Sequence, residues 1–336
     1  MSKNPMKGVN MIKIIVIGFG VIGRGVVEVL LDKKAEIQEY IGDYSIVAVA
    51  EKDGVVYSPQ GLGKEILDHS SQDFTEGSTS DIIHNTDFDV AIEVTPTDIK
   101  KGEPGLTHIR ESLKRGAHVI TSNKGPIVVG YAELQELAAQ NNVALKFEAT
   151  VGGGMPVINL ASNNLAGNEI KSVRGILNGT CNFILSRMET EKLSYHQVLA
   201  EAQELGYAEA DPTYDVEGID SAAKLVIIAN ALLGMNATFD DVEIDGITMI
   251  TPEAFDVALE KNYTIRLIGE VNKRTGSIKV SPRLVPVHHP LCVTGTLNAL
   301  QVRTDLAGDI VVVGKGAGKK ETASAIVSDL IDIYRC

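Results

Sequence analysis

The chain lacks tryptophan and holds only three cysteines among its 336 residues. Cys181, Cys292 and Cys336 have neither zinc-site nor disulfide-framework spacing. A chain kept reduced in a cytoplasm is expected, with Cys336 an exposed thiol that cross-links subunits only under oxidation. There is no long basic block, and the formal net charge is −13. Phosphate backbones are met by cations, so nucleic-acid binding is not expected. No apolar run approaches the roughly 18 residues of a membrane span. The first ten residues lack the apolar centre of a signal peptide.

Hydrophobic residues make up 44% of the chain, enough for substantial cores, and the length suits two domains. Short apolar runs recur at Ile12–Ile17, Ser45–Ala50, Asp89–Val94, His118–Asn123 and Ala144–Thr150. Helical patterns fit between several of them, as at Gly105–Arg115 and Tyr131–Gln140. This alternation predicts a doubly wound parallel sheet of Rossmann type. The polar stretch Tyr57–Asn85 reads largely as loop. After Val151–Pro156 the rhythm changes to long helices and strands such as Ile170–Leu177, Arg266–Glu270 and Ile278–Leu284, as in a separate α+β domain. The C-terminus is again strand, glycine turn and helix.

Gly18, Gly20 and Gly23 spell G-x-G-x-x-G between the first strand and a helix whose apolar face includes Ile22, Val26, Val29 and Leu30. The first glycine allows a tight turn, the second a close approach to a pyrophosphate, the third tight helix–strand packing. The helix N-terminus offers free N–H groups to the phosphates. A glycine turn without ligand has the same spelling. The second strand runs into Glu51-Lys52-Asp53-Gly54. An acid there accepts from a ribose 2′-hydroxyl, whereas Lys52 suits a 2′-phosphate, so NAD and NADP both remain open. Glu51 lies further from the glycines than the usual ~20 residues, which predicts an inserted loop before its strand. Thr95-Pro96 and Lys124 follow strand ends, where ligands of such sheets gather.

The stretch GYAEADPTYDVEGIDSAAK, Gly206 to Lys224, holds five carboxylates and ends on a lysine beside the apolar run LVIIANALL. Asp220 suits the N-cap or first turn of a helix beginning near Ser221. Lys224, four residues on, shares its face. Leu225–Ile228 is apolar all round, which predicts a buried helix and a partly desolvated lysine. Such a lysine can exchange a proton during alcohol–carbonyl interconversion, and acids nearby can hold a substrate ammonium. The plainer reading is an acidic surface loop with a helix cap.

Taken in order, GFGVIG, TSNKGP, EATVGGGMP, GILNGTCNFIL, GYAEADPTYDVEGIDSAAKL and GKGAGKKETASAIVSDL resemble homoserine dehydrogenase over nearly the whole chain. The resemblance implies reversible NAD(P)H-dependent reduction of L-aspartate 4-semialdehyde to L-homoserine, toward threonine, methionine and isoleucine. It implies catalytic roles for Lys224, Lys124 and Asp220, with the proton-transferring lysine left open. It assigns the substrate to Glu209, Asp215, Thr180 and Gly179. It assigns the cofactor to Gly18, Gly20, Val21, Ile22, Gly23, Glu51, Thr95, Pro96, Lys124 and Gly318. It implies a sodium ion on Glu148, Val151, Gly153 and Met155, largely through main-chain oxygens, where a tight glycine hinge is the simpler account. It implies a homodimer paired through the second domain. The expected division is 11–150 for dinucleotide binding, 151–308 for substrate binding and dimerisation, and 309–336 returning to the first domain. The chain ends soon after its last helix, and no aspartate-kinase segment precedes the glycine loop. The monofunctional form without a regulatory extension, and without threonine feedback through one, is therefore expected.

Two rivals stand beside this. An aldehyde dehydrogenase would use Cys181 as nucleophile, although no histidine is evidently paired with it. A non-catalytic dinucleotide sensor would need the glycine loop but not Glu209, Asp220 and Lys224.

Overall fold

The computed structural model describes residues 11–52, 54–70 and 73–335. Asp53, Cys336 and the first ten residues, which entered the sequence readings, lie outside the described residues. The chain divides into two units, Met1–Thr150 with Gly318–Cys336, and Val151–Ala317.

In the first unit, six strands are ordered β3-β2-β1-β4-β5-β6. They are β1 (Ile12–Ile17), β2 (Tyr44–Glu51), β3 (Gly54–Tyr57), β4 (Val90–Glu93), β5 (His118–Thr121) and β6 (Leu145–Lys146). All neighbours are parallel except β2 and β3. β1, β2 and β4 read as nearly continuous apolar runs because both faces of a parallel sheet are covered. Crossover helices include Val21–Asp32, Gly105–Lys114 and Lys124–Gln140. The strand order reverses between β1 and β4, the point where doubly wound sheets open a ligand crevice. The helix Lys319–Tyr334 belongs to this unit, and its Ala323, Ile326 and Leu330 join the core of Ile14, Val16, Val26 and Leu30.

Three details differ from expectation. The extra residues before β2 are a second helix, Lys34–Ile41, which buries Ile37 and Ile41; a loop was expected. Tyr57–Asn85 contains a 3-10 turn, Lys64–Asp68, and a helix, Thr79–Asn85. That helix carries a reciprocal cap, Ser78 with Asp81 three residues on. The expected strand Ala144–Thr150 is only Leu145–Lys146, followed by a 3-10 turn at Glu148–Thr150.

The second unit is built on a sheet ordered β12-β11-β7-β9-β10-β8. Its strands are β7 (Ile170–Ile176), β8 (Glu243–Ile244), β9 (Tyr263–Asn272), β10 (Ser277–Pro286), β11 (Leu297–Thr304) and β12 (Asp309–Lys315). All pairs are antiparallel except β8 with β10. The helices Gly179–Glu191 and Ile219–Leu233 pack on it, and every side chain from Leu225 to Ile228 is fully buried. The boundary expected at 309 falls instead at Gly318. Residues 309–315 form β12, paired along its length with β11, so only the last helix returns to the first unit.

Candidate active site

In the first unit the glycines after β1 are dictated by space. A Cβ on Gly18 would lie 2.8 Å from the Val94 carbonyl, and its φ is +95°. A Cβ on Gly23 would lie 2.0 Å from the Gly18 oxygen. Gly20 faces nothing within 4 Å, which leaves its backbone open to a ligand. Val21 and Ile22 begin the helix, whose first N–H groups receive no side-chain cap. These features fit a pyrophosphate cradle.

Glu51 closes β2 and turns back, its Oε1 accepting the Phe19 N–H at 2.5 Å. Arg24 lies 4.4 Å over the Phe19 ring and donates to the carbonyls of Leu67 at 2.8 Å and His69 at 2.7 Å. Thr95 and Pro96 leave β4 at its carboxyl end. Lys124 is the first residue of its helix, with Asn123 as the cap. Gly318 precedes the last helix at φ +140°. Glu148 is buried, and its main-chain N–H donates to Asp329 Oδ2 at 2.9 Å.

In the second unit, Asp220 occupies the first turn of Ile219–Leu233, with Gly218 as the cap. This puts the helix start two residues earlier than expected. Lys224 Nζ donates to Asp220 Oδ2 at 2.6 Å and to the Leu177 carbonyl at 2.7 Å. Both side chains of the pair are buried. Asn178 joins them to Asp215: its Nδ2 donates to Asp215 Oδ1 at 2.6 Å and Asp220 Oδ2 at 3.0 Å. Its Oδ1 accepts the Cys181 N–H at 2.8 Å and caps the helix Gly179–Glu191. Burial, and then the Asp220 charge, raise the Asp215 carboxyl above its ordinary value, against the Asn178 hydrogen bond. Thr180 donates to the Tyr207 carbonyl at 2.8 Å. Gly179 starts that helix beside Thr296, whose carbonyl oxygen would lie 2.7 Å from a Cβ there.

Asp215, Asp220 and Lys224 are thus brought together, while Glu209 stands on the exposed part of the same loop. Asn178 is absent from the sequence-based candidates. Its signal is an Asn followed by Gly-Thr-Cys at a strand-to-helix junction, the composition of an N-cap. Cys181 is fully buried, and its thiol donates to the Asp215 carbonyl at 3.2 Å. Burial, together with nearby carboxylates, pushes that thiol well up. A thiolate nucleophile needs the opposite setting, so the aldehyde-dehydrogenase rival loses its reactive group.

Val151 and Met155 are buried in the loop that opens the second unit, and Gly153 sits at φ +56°. Main-chain oxygens suit a hard cation. Among the described residues, no cluster of three or more His, Cys, Asp or Glu side chains gathers as a metal site.

The family profile "Homoserine dehydrogenase, NAD binding domain" matches residues 18–148, and "Homoserine dehydrogenase" matches 156–331. The homoserine dehydrogenase of Methanocaldococcus jannaschii is 49% identical over 96% of this chain and 98% of its own. The chain belongs to the homoserine dehydrogenase family. The NAD(+)-dependent homoserine dehydrogenase of Pseudomonas canavaninivorans is 38% identical, covering 96% of each chain. A crystal structure from Archaeoglobus fulgidus, provisionally named a homoserine dehydrogenase, is 53% identical with a TM-score of 0.91, covering 97% of this chain and 100% of that one. A hyperthermophilic archaeal homoserine dehydrogenase in complex with NADPH has a TM-score of 0.81 at 28% identity, covering 96% and 98%.

The chain is an NAD(P)-dependent oxidoreductase of amino-acid biosynthesis. The non-catalytic sensor is thereby set aside. Among the described residues no helix is long and apolar enough to cross a membrane.

Proposed function

We propose a division of labour in which the first unit binds the dinucleotide and the second holds homoserine or aspartate 4-semialdehyde. When bound, the nicotinamide ring gives or takes the hydride. Lys224 meets the substrate oxygen. Two of its three N–H bonds are engaged by Asp220 and Leu177, and the third is aimed by them. This buried, doubly anchored ammonium is the observation that carries the reading. Asp220 keeps it oriented, so it stabilises oxygen that gains negative charge and supplies the proton as the alcohol forms. Lys124 is the second group at the reacting centre. Asp215 and Glu209 grip the substrate ammonium, and Gly179 and Thr180 offer a helix N-terminus to its carboxylate.

The same reading makes NAD the preferred cofactor. Glu51 holds a carboxylate against the glycine loop, where it accepts from a 2′-hydroxyl and repels a 2′-phosphate. Arg24 is already engaged by two carbonyls. A sodium ion on the main-chain oxygens of Val151, Gly153 and Met155, a homodimer formed through the second unit, and a reducing cytoplasmic setting complete the proposal. Cys181 and Cys292 are free thiols, which suits that setting.

The deciding assay adds L-homoserine with NAD and, separately, with NADP, and follows reduced nicotinamide. Reduction in both, with a higher kcat/KM for NAD, is expected. No reduction with either would defeat the proposal, and a preference for NADP would defeat the role given to Glu51.

A further inference from the structure

Glu93 is the last residue of β4 and is completely enclosed, at 0% exposure. Its Oε1 accepts the Thr95 N–H at 3.0 Å and also the Thr95 hydroxyl. Thr121, the last residue of the neighbouring β5, sets its hydroxyl 2.9 Å from both Glu93 Oε2 and the Glu93 carbonyl. That hydroxyl accepts the Asn123 N–H at 2.9 Å. The Asn123 side-chain amide lies beside the Glu93 carboxyl and favours its charged form. It donates further to Thr95 Oγ1 and the Pro96 carbonyl, each at 3.3 Å, and its Oδ1 accepts the Gly125 N–H at 3.1 Å. A third element closes over the group. A Cβ on Gly105 would lie 3.1 Å from the Glu93 carboxyl carbon and 2.7 Å from Asn123 Nδ2.

One carboxyl group therefore gathers donors beyond two adjacent strand ends, and Thr95 and Thr121 tie it in turn to Asn123, the cap of the helix that begins at Lys124. Its own strand has no use for it: an apolar residue would pack as well at a buried sheet position. Burial pushes this carboxyl up, and the threonine and asparagine donors oppose that shift. Without it, those donors would point into a water-free pocket, each costing the free energy of an unmade hydrogen bond. The two strand ends would rearrange to satisfy them.

We propose that Glu93 is a positioning residue for hydride transfer, holding the Thr95–Pro96 segment and the start of the Lys124 helix as one rigid piece. The proposal deepens the preceding reading and rests on its assignment of Thr95, Pro96 and Lys124 to the nicotinamide end of the site. Glu93 acts through those residues and does not touch the substrate.

Glu93→Gln keeps the shape but replaces one acceptor with a donor, which forces the Thr121 hydroxyl to turn from the side chain to the Glu93 carbonyl and sets the new amide against the nearby Asn123 amide. The test uses the full chain. The chain has no tryptophan, so NADH binding is read from nicotinamide emission without protein background. Glu93→Gln is expected to weaken NADH binding about tenfold and to lower kcat about tenfold, with the KM for homoserine within about twofold of wild type. In a Lys124→Ala background the same substitution is expected to lower kcat by less than about threefold, because the residues act as a unit. Unchanged NADH affinity and kcat would overturn the proposal, as would a full tenfold loss in the Lys124→Ala background. Should Glu93→Gln fail to fold, Thr121→Val removes one donor and should give the same split at about threefold; a neutral Thr121→Val would then overturn it. NADH affinity is measured without homoserine, so it tests Glu93 even if the homoserine reading fails.

Discussion

Lys224 and Asp220 lie four residues apart on one helix and are both buried. Removing one member of a buried pair leaves the other charge uncompensated, typically at about 3–5 kcal/mol. In Lys224→Ala the Asn178 amide still donates to Asp220, which holds the loss toward the lower end. That variant should melt earlier yet still fold, with kcat down about 10²–10⁴-fold and unchanged NADH affinity. Thermal unfolding and steady-state kinetics check both parts. Asp215 supplies a pH signature. Its carboxyl titrates above the ordinary aspartate value because it is buried beside Asp220. It is charged above that raised value and neutral below it. Grip on the substrate ammonium should therefore be lost on acidification sooner than a solvent-exposed aspartate would allow. The KM for homoserine should rise as pH falls into that range, and Asp215→Asn should show a high KM without that dependence.

At the scale of elements, legibility followed periodicity. The Ile219–Leu233 helix was readable because Leu225–Ile228 is apolar on every face, and a helix of that kind must be buried. The glycine loop was readable because its spelling encodes distances of closest approach. The two-residue strand β8 and the helix Lys34–Ile41 were not, since neither offers enough periods to rise above a loop. Asn178 was hidden for another reason: its importance comes from Asp215 and Asp220, 37 and 42 residues away in sequence. Glu93 was hidden in the same way by partners on β5 and Asn123. Because Asn178 is both helix cap and clamp on two carboxylates, Asn178→Ala should cost about 1–2 kcal/mol from the cap and also raise the KM for homoserine. Asn178→Asp keeps the cap but adds a third carboxylate. It should restore more stability than substrate affinity, a split visible by comparing melting temperatures with KM values.

For the whole molecule, the chain leaves the first unit at Thr150 and returns to it at Gly318. The parallel sheet and its helices are thus completed only by a segment that follows the whole second unit in the chain. Ala323, Ile326 and Leu330 are each 0% exposed within the first unit's core. Burying a leucine or isoleucine side chain contributes about 1.5–3 kcal/mol. Losing the helix would remove those contributions and uncover the apolar faces of Val26 and Leu30, which belong to the same cluster. The sum approaches the 5–15 kcal/mol by which an entire domain is stable. Residues 309–315 would stay with β11 in the second sheet. A chain ending at Ala317 should therefore lose NADH binding and show a separate early melting transition, while the second unit keeps a later transition near that of the full chain. Restored NADH binding on adding a synthetic peptide of residues 318–336 would confirm that the helix acts by completing the fold. A truncated chain that bound NADH normally would show that the first unit's core stands without it.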